Sequence, residues 1–198
     1  MTDKKIIDTE VAALAKVSSK IEQDYKAPLV DPWQGSPFTW IRARSSRTVG
    51  AIGEKLVEGW SAGNGFEVSR TGDSEADRII HGHRVEIKFS TLWKSGVYKF
   101  QQIRNQKYDY CLCLGVSPFE AHAWLIPKAV LLEHVIGKMG QHTGAAGADT
   151  AWLSFQVGEE YKWMKPHGGS LADVKTILNK LGKGNHVAPP SKAKAKDK

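Results

Sequence analysis

Between Ala76 and Ser90 the chain reads ADRIIHGHRVEIKFS, two apolar-rich runs separated by His81-Gly82. Glycine at the second position of a two-residue loop suits the positive φ that a tight hairpin demands, so the stretch is expected to fold as a β-hairpin about that pair. The register follows. Ile79 faces Arg84, and Asp77 faces Glu86. Directly opposed residues share a face, with Cβ atoms about 4.5–5.5 Å apart. Alternation adds Lys88 to that face and sends Val85, Ile87 and Phe89 to the other, towards a core; Arg78 falls awkwardly on that apolar side. Two opposed carboxylates repel each other unless something positive lies between them. A divalent cation with Lys88 beside it answers that demand.

The rest of the chain supplies elements to hold such a hairpin. Ile7, Val11, Leu14, Val17 and Ile21 recur at helical spacing, which predicts an amphipathic helix from about Asp3 to Tyr25. APLVDPWQGSPF follows as a Pro/Gly linker. A second helix is expected from Ser45 or Ser46 to about Ala62, with Val49, Ile52, Leu56 and Trp60 as its stripe and Gly63-Asn64-Gly65 as its stop. FEVSR reads as a short strand, YKFQQIRNQ as a helix, and YDYCLCLGV as a buried strand. HAWLI and TAWLSFQV are further strands, with Pro127 opening a short helix between them. SLADVKTILNKLG is a final helix with Ser170 as N-cap and Gly182 as stop. The order implies an α/β fold, a mixed β-sheet flanked by helices on both faces. Residues 1–45 form an N-terminal helix and linker, 46–182 the principal domain, and 183–198 a basic tail expected to be disordered.

Composition narrows the class. Apolar residues make up 41% and charged residues 25%, as in a globular protein. No run approaches a membrane span, and MTDKKIIDTE lacks the apolar core of a signal peptide, which points to a cytoplasmic protein without a membrane partner. Cys111 and Cys113 alternate onto one strand face, where burial as small apolar groups outweighs a metal site that would need more ligands. The net charge of +7 suits a polyanionic partner, of which nucleic acid is the commonest.

Asp77, then Glu86 and Lys88 on a hairpin after a helix bearing Glu54, resembles the catalytic core of the PD-(D/E)XK nuclease superfamily, the fold of many type II restriction endonucleases. The similarity spans roughly Ser46 to Val116 and implies that superfamily's αβββαβ core. Ala76 stands where the superfamily's name has proline. The resemblance implies a Mg²⁺-dependent, sequence-specific endonuclease on double-stranded DNA, with Mn²⁺ a substitute and no organic cofactor. It implies that Asp77, Glu86 and the Ile87 carbonyl hold the ion, that Lys88 stabilises the reacting phosphate, and that Glu54 assists as a second acid. Repair or Holliday-junction nucleases share this chemistry. A non-catalytic DNA-binding module retaining the fold is the alternative from another class; opposed acids with no metal role would weaken its grip on phosphate.

Further candidates for DNA contact lie outside the hairpin. Arg42, Arg44 and Arg47, in WIRARSSR, precede a helix start where backbone amides also favour phosphate. Gln101 or Gln102 could position a water or a phosphate, or lie on a solvated helix face. His142 and Thr143, in the Gly-rich GKMGQHTGAAGADT, are candidates for base readout, since loops carry recognition more often than scaffold does. Trp40 and Trp93, beside basic residues, could stack on a base. The N-terminal helix could pack on the domain, pair two chains as a homodimer, or serve as an arm.

Overall fold

The structure is a computed structural model that describes residues 9–24, 31–140 and 150–186. The chain divides into two compact units, Met1–Gln34 and Gly35–Lys198. The first contains α1 (Thr9–Asp24). Among its described residues the second holds α2 (Ser46–Gly63), seven strands, α3 (Lys128–His134) and α4 (Leu171–Leu181). The expected stretch 3–8 of the first helix, His142 and Thr143 of the Gly-rich loop, and residues 187–198 of the tail lie outside the described residues. No helix among the described residues is long and apolar enough to cross a membrane.

The main sheet is mixed, five strands in the order β1-β2-β3-β5-β6. They are β1 (Val68–Arg70), β2 (Arg78–Ile80), β3 (His83–Thr91), β5 (Tyr110–Val116) and β6 (Ala121–Pro127). Only β3 and β5 run parallel; the other neighbours are antiparallel. The hairpin has the expected register, with Ile79 opposite Arg84 and Ile80 opposite His83. His81 at φ 52° and Gly82 at φ 77° form its two-residue turn, as left-handed backbone at both positions requires.

One expectation is overturned. YKFQQIRNQ is a strand, β4 (Val97–Ile103), where a helix was expected. It pairs antiparallel with β7 (Ala151–Gln156) in a separate two-stranded sheet. Tyr98, Phe100 and Ile103 are fully buried, as are Leu153 and Ala151 opposite them, so two half-buried strands close a core that one helix face would leave open. Parallel strands need a crossover, which is usually a helix. Here β4 supplies it, and the αβββαβ order is broken at that point.

Both faces of the main sheet are covered. Glu86 pairs with Cys111 and Lys88 with Cys113, so these four share a face. That face carries the aromatic core of Tyr98, Phe100, Tyr108, Trp124 and Phe155, joined by Leu131 and Val135 at α3. Both cysteines are buried, with Sγ atoms 3.9 Å apart. Phe89 lies on the opposite face, under α2. That helix sits down on Gly53, Val57 and Ser61, which are buried, while the expected stripe of Val49, Ile52, Leu56 and Trp60 is only half-buried along its flanks. At Gly53 the approach is so close that a Cβ would lie 2.2 Å from Phe89 Cβ. The final helix has the expected cap. Asp173 N–H donates to Ser170 Oγ at 3.1 Å, and Ser170 N–H returns a bond to Asp173 Oδ2 at 3.0 Å.

Candidate active site

The site begins with a mismatch in strand length. β2 is three residues long and β3 is nine. Their ladder ends at Arg78 opposite Val85, so Asp77 is not strand-paired with Glu86, which corrects the direct opposition expected from the hairpin. Asp77 N–H still donates to the Val85 carbonyl at 3.1 Å. Its carboxylate turns into the ladder instead: Asp77 Oδ2 accepts the Ile87 N–H at 2.7 Å. A side-chain oxygen thus takes the place of the next ladder carbonyl. In a strand the N–H and C=O of one residue point to the same edge, so the Ile87 carbonyl lies on this side too. Beyond it, the edge of β3 borders a cleft of about 750 Å³.

Glu54, Asp77, Ile87 and Lys88 line that cleft together. Glu86 lies just behind them, only 6% exposed, with Lys88 Nζ 2.7 Å from its Oε1. Burial lifts the Glu86 carboxyl above the usual range; Lys88 pulls it back, and Asp77 and Glu54 add to the rise. The Glu54 carboxyl is raised as well, by burial first and then by Asp77, against the opposing pull of Arg78. Burial presses the Lys88 ammonium downward, but the charge and hydrogen bond of Glu86 outweigh it and its pKa lies above the ordinary lysine value. The negative charge of Asp77 thus adds to the rise of both Glu54 and Glu86, so the acids share one electrostatic environment.

Arg78, the awkward apolar-side residue, has its place here. Its Nη1 lies 3.2 Å from Glu54 Oε2 and its Nε 3.0 Å from Glu58 Oε2, bridging two turns of α2. The same Nη1 donates to the Asp77 carbonyl at 2.7 Å. One guanidinium therefore ties the helix acid to the hairpin acid. Its clue in the sequence is the Glu54/Glu58 pair at helical i,i+4 spacing, which only the fold brings to Arg78.

The rim of the cleft is basic and polar. Arg44, Arg47, Lys99, Gln101 and Gln102 line it, whereas Arg42 does not. Arg44 lies 6.0 Å from the Trp40 ring centroid and Lys99 Nζ lies 3.9 Å from that of Trp93, so each exposed tryptophan has a cation over it. His81 and His83 stay out of the cleft. His81 packs edge-on against Phe66, and His83 Nε2 bonds the Gly182 carbonyl at 3.0 Å.

Among solved structures, the chain is similar to that of a bacterial homing endonuclease, I-Ssp6803I, with 14% identity and a TM-score of 0.45, covering 69% of this chain and 93% of that one. No family model matches the sequence, and no curated protein does. The functional reading therefore rests on the side chains of the cleft.

Proposed function

We propose that the chain is a Mg²⁺-dependent endonuclease that hydrolyses phosphodiester bonds of double-stranded DNA, sequence-specific in the manner of type II restriction enzymes. The observation that carries this reading is the gathering of Glu54 and Asp77 with Lys88 at the edge of β3, in a cleft whose rim is cationic, with Glu86 buried behind them against Lys88. A rim of Arg44, Arg47 and Lys99 attracts a polyanion, and an acid floor would then repel its phosphate unless an ion neutralises it. Among the described residues no group of three or more His, Cys, Asp or Glu side chains is placed to hold a metal. The fitting set is smaller: two carboxylates, Asp77 and Glu86, with the Ile87 carbonyl. Mg²⁺ suits it, because that ion takes few protein oxygens and keeps several waters. When bound it would lower the pKa of the attacking water and polarise the scissile phosphate; Mn²⁺ would serve in its place.

The chain's own groups have separable tasks. Asp77 lines the cleft and is held by the Ile87 N–H through Oδ2. Lys88, kept protonated by Glu86, offsets the charge that builds on the phosphate oxygens in the transition state. Glu54 is a second acid at the same point, oriented by Arg78.

Supercoiled plasmid incubated with the protein in Mg²⁺ or in EDTA tests the proposal. Conversion to nicked or linear DNA in Mg²⁺ alone is expected. Glu86→Ala should abolish it with DNA binding retained, and Lys88→Ala should lose most of it with ion binding retained in calorimetry. Binding of plasmid without any cutting in Mg²⁺ or Mn²⁺ would make the chain a non-catalytic DNA-binding module. Full cutting by Glu86→Ala would end the assignment of the site.

A further inference from the structure

The small sheet carries a deformation that the catalytic reading does not use. Strict alternation along β4 would bury Tyr98, Phe100 and Gln102. The observed pattern buries Tyr98, Phe100 and Ile103 and leaves both Gln101 and Gln102 exposed. The register explains it. Phe100 pairs with Leu153 and Ile103 with Ala151, so two glutamines stand against the single residue Trp152 in a β-bulge. Gln102 adopts φ 58°, left-handed backbone that a side-chain-bearing residue rarely takes. Bulges re-aim side chains and gather beside active sites, and strain of this kind persists where the surroundings impose it. A glycine would relieve it at no steric cost. Glutamine at that position keeps an exposed polar residue at the expense of backbone comfort, and both glutamines line the cleft.

We infer that the β4–β7 ribbon enters the major groove of duplex DNA and that the Gln101–Gln102 bulge reads an adenine next to the scissile phosphate. The inference rests on the nuclease reading of the cleft. A two-stranded β-ribbon fits the major groove, and a glutamine amide pairs in bidentate fashion with the N6 and N7 edge of adenine. The surroundings suit the approach of a duplex. Lys99, two residues before the bulge, holds its ammonium over the exposed Trp93 ring, and Arg44 and Arg47 border the same cleft. These cations would position the phosphates while the amides specify the base. Ser154, opposite Lys99 on β7, belongs to the same outer face, and the exposed Tyr161 hydroxyl donates to its carbonyl at 3.3 Å. The ribbon thus carries Lys99, Gln101, Gln102 and Ser154 on its outer face over a buried aromatic core.

The test uses the full chain and a random-sequence duplex library. Ca²⁺ replaces Mg²⁺, a hard cation that neutralises the same oxygens, and the bound duplexes are sequenced. Wild type should enrich a motif containing adenine. Gln101→Ala and Gln102→Gly should lose the preference at that base pair by roughly 5- to 150-fold, the span of one bidentate pair worth roughly 1–3 kcal/mol. Preferences elsewhere in the motif should persist. Gln102→Gly relieves the left-handed backbone, so loss through misfolding is separated by its thermal melt, which should not fall. A motif unchanged in both variants overturns the inference, and so does a wild type that enriches no motif. Cleavage of the same library in Mg²⁺ keeps the two readings apart. Cutting without sequence preference removes base readout and leaves the nuclease standing, and a bound adenine motif without cutting does the reverse.

Discussion

Gly53→Ala adds a single methyl group where α2 crosses β3, and the geometry decides its sign. The new Cβ would sit 2.2 Å from Phe89 Cβ and 2.5 Å from Phe89 Cγ. Carbon atoms in contact lie about 3.5–4.0 Å apart, so a gap of about 1.3 Å must open. Phe89 Cβ is fixed to the strand backbone and cannot rotate away. The helix has to lift instead, and overpacking of this kind costs roughly 1–3 kcal/mol. Alanine's better helix propensity returns roughly 0.8–1.0 kcal/mol, which leaves a net loss of roughly 1–2 kcal/mol in the upper part of that range. In a chain of this size each kcal/mol moves Tm by roughly 2–4 °C, so the variant should melt roughly 2–8 °C lower. Gly59→Ala in the same helix is the control. Nothing lies within 4 Å of a Cβ there, and only the propensity gain remains, so it should melt roughly 2–4 °C higher. The activity should follow the displacement. Glu54 is the next residue, and a shift of about 1 Å relative to Asp77 is enough to cost roughly 10²-fold in cutting rate. Thermal melts of the three proteins and plasmid-cutting rates in Mg²⁺ measure both effects. If Gly53→Ala melts at or above wild type, as Gly59→Ala should, the close approach of α2 to Phe89 is wrong.

Glu54 and Glu86 hold their protons to higher pH in the folded chain than in the unfolded one, so the folded state binds more protons across that window and stability falls as pH rises through it. On the proposed reading Mg²⁺ would bind the acids in their ionised form, so its stabilising shift in Tm should grow from about pH 4 to about pH 7; a shift independent of pH would sink the acid-cluster account of the site. Ser170→Ala removes a capping box and should cost about 1 kcal/mol in denaturant titration with cutting unchanged, because α4 holds no group in the cleft. Gly184→Ala drives a Cβ to 2.3 Å from the Gly82 carbonyl oxygen, so amide exchange at the hairpin turn, where Gly184 N–H bonds the His81 carbonyl at 2.8 Å, should speed up. Unchanged protection of that amide would mean that the segment does not brace the turn.

What the sequence made legible was local. The hairpin register followed from one His-Gly turn, and α4 from its cap and its glycine stop, because the deciding residues lie within a few positions of each other. The β4 strand was illegible for a physical reason. Its bulge places Phe100 and Ile103 three residues apart, a helical interval, and the strand that justifies the bulge begins only at Ala151. Asp77 lines the cleft as expected of its hairpin but does not pair in the ladder, since periodicity cannot report that a carboxylate has replaced a backbone carbonyl. Arg78 shows the same limit from the other side. Judged by alternation, a charge on the apolar face of a hairpin is a defect. In the fold it meets Glu54 and Glu58, twenty or more residues earlier, and the Asp77 carbonyl beside it. Removing that charge would leave two glutamates one helical turn apart without the guanidinium that bridges them, and would release the contact that sets the helix acid against the hairpin acid. The position that fits the strand pattern worst is therefore the one that joins the two halves of the acid cluster.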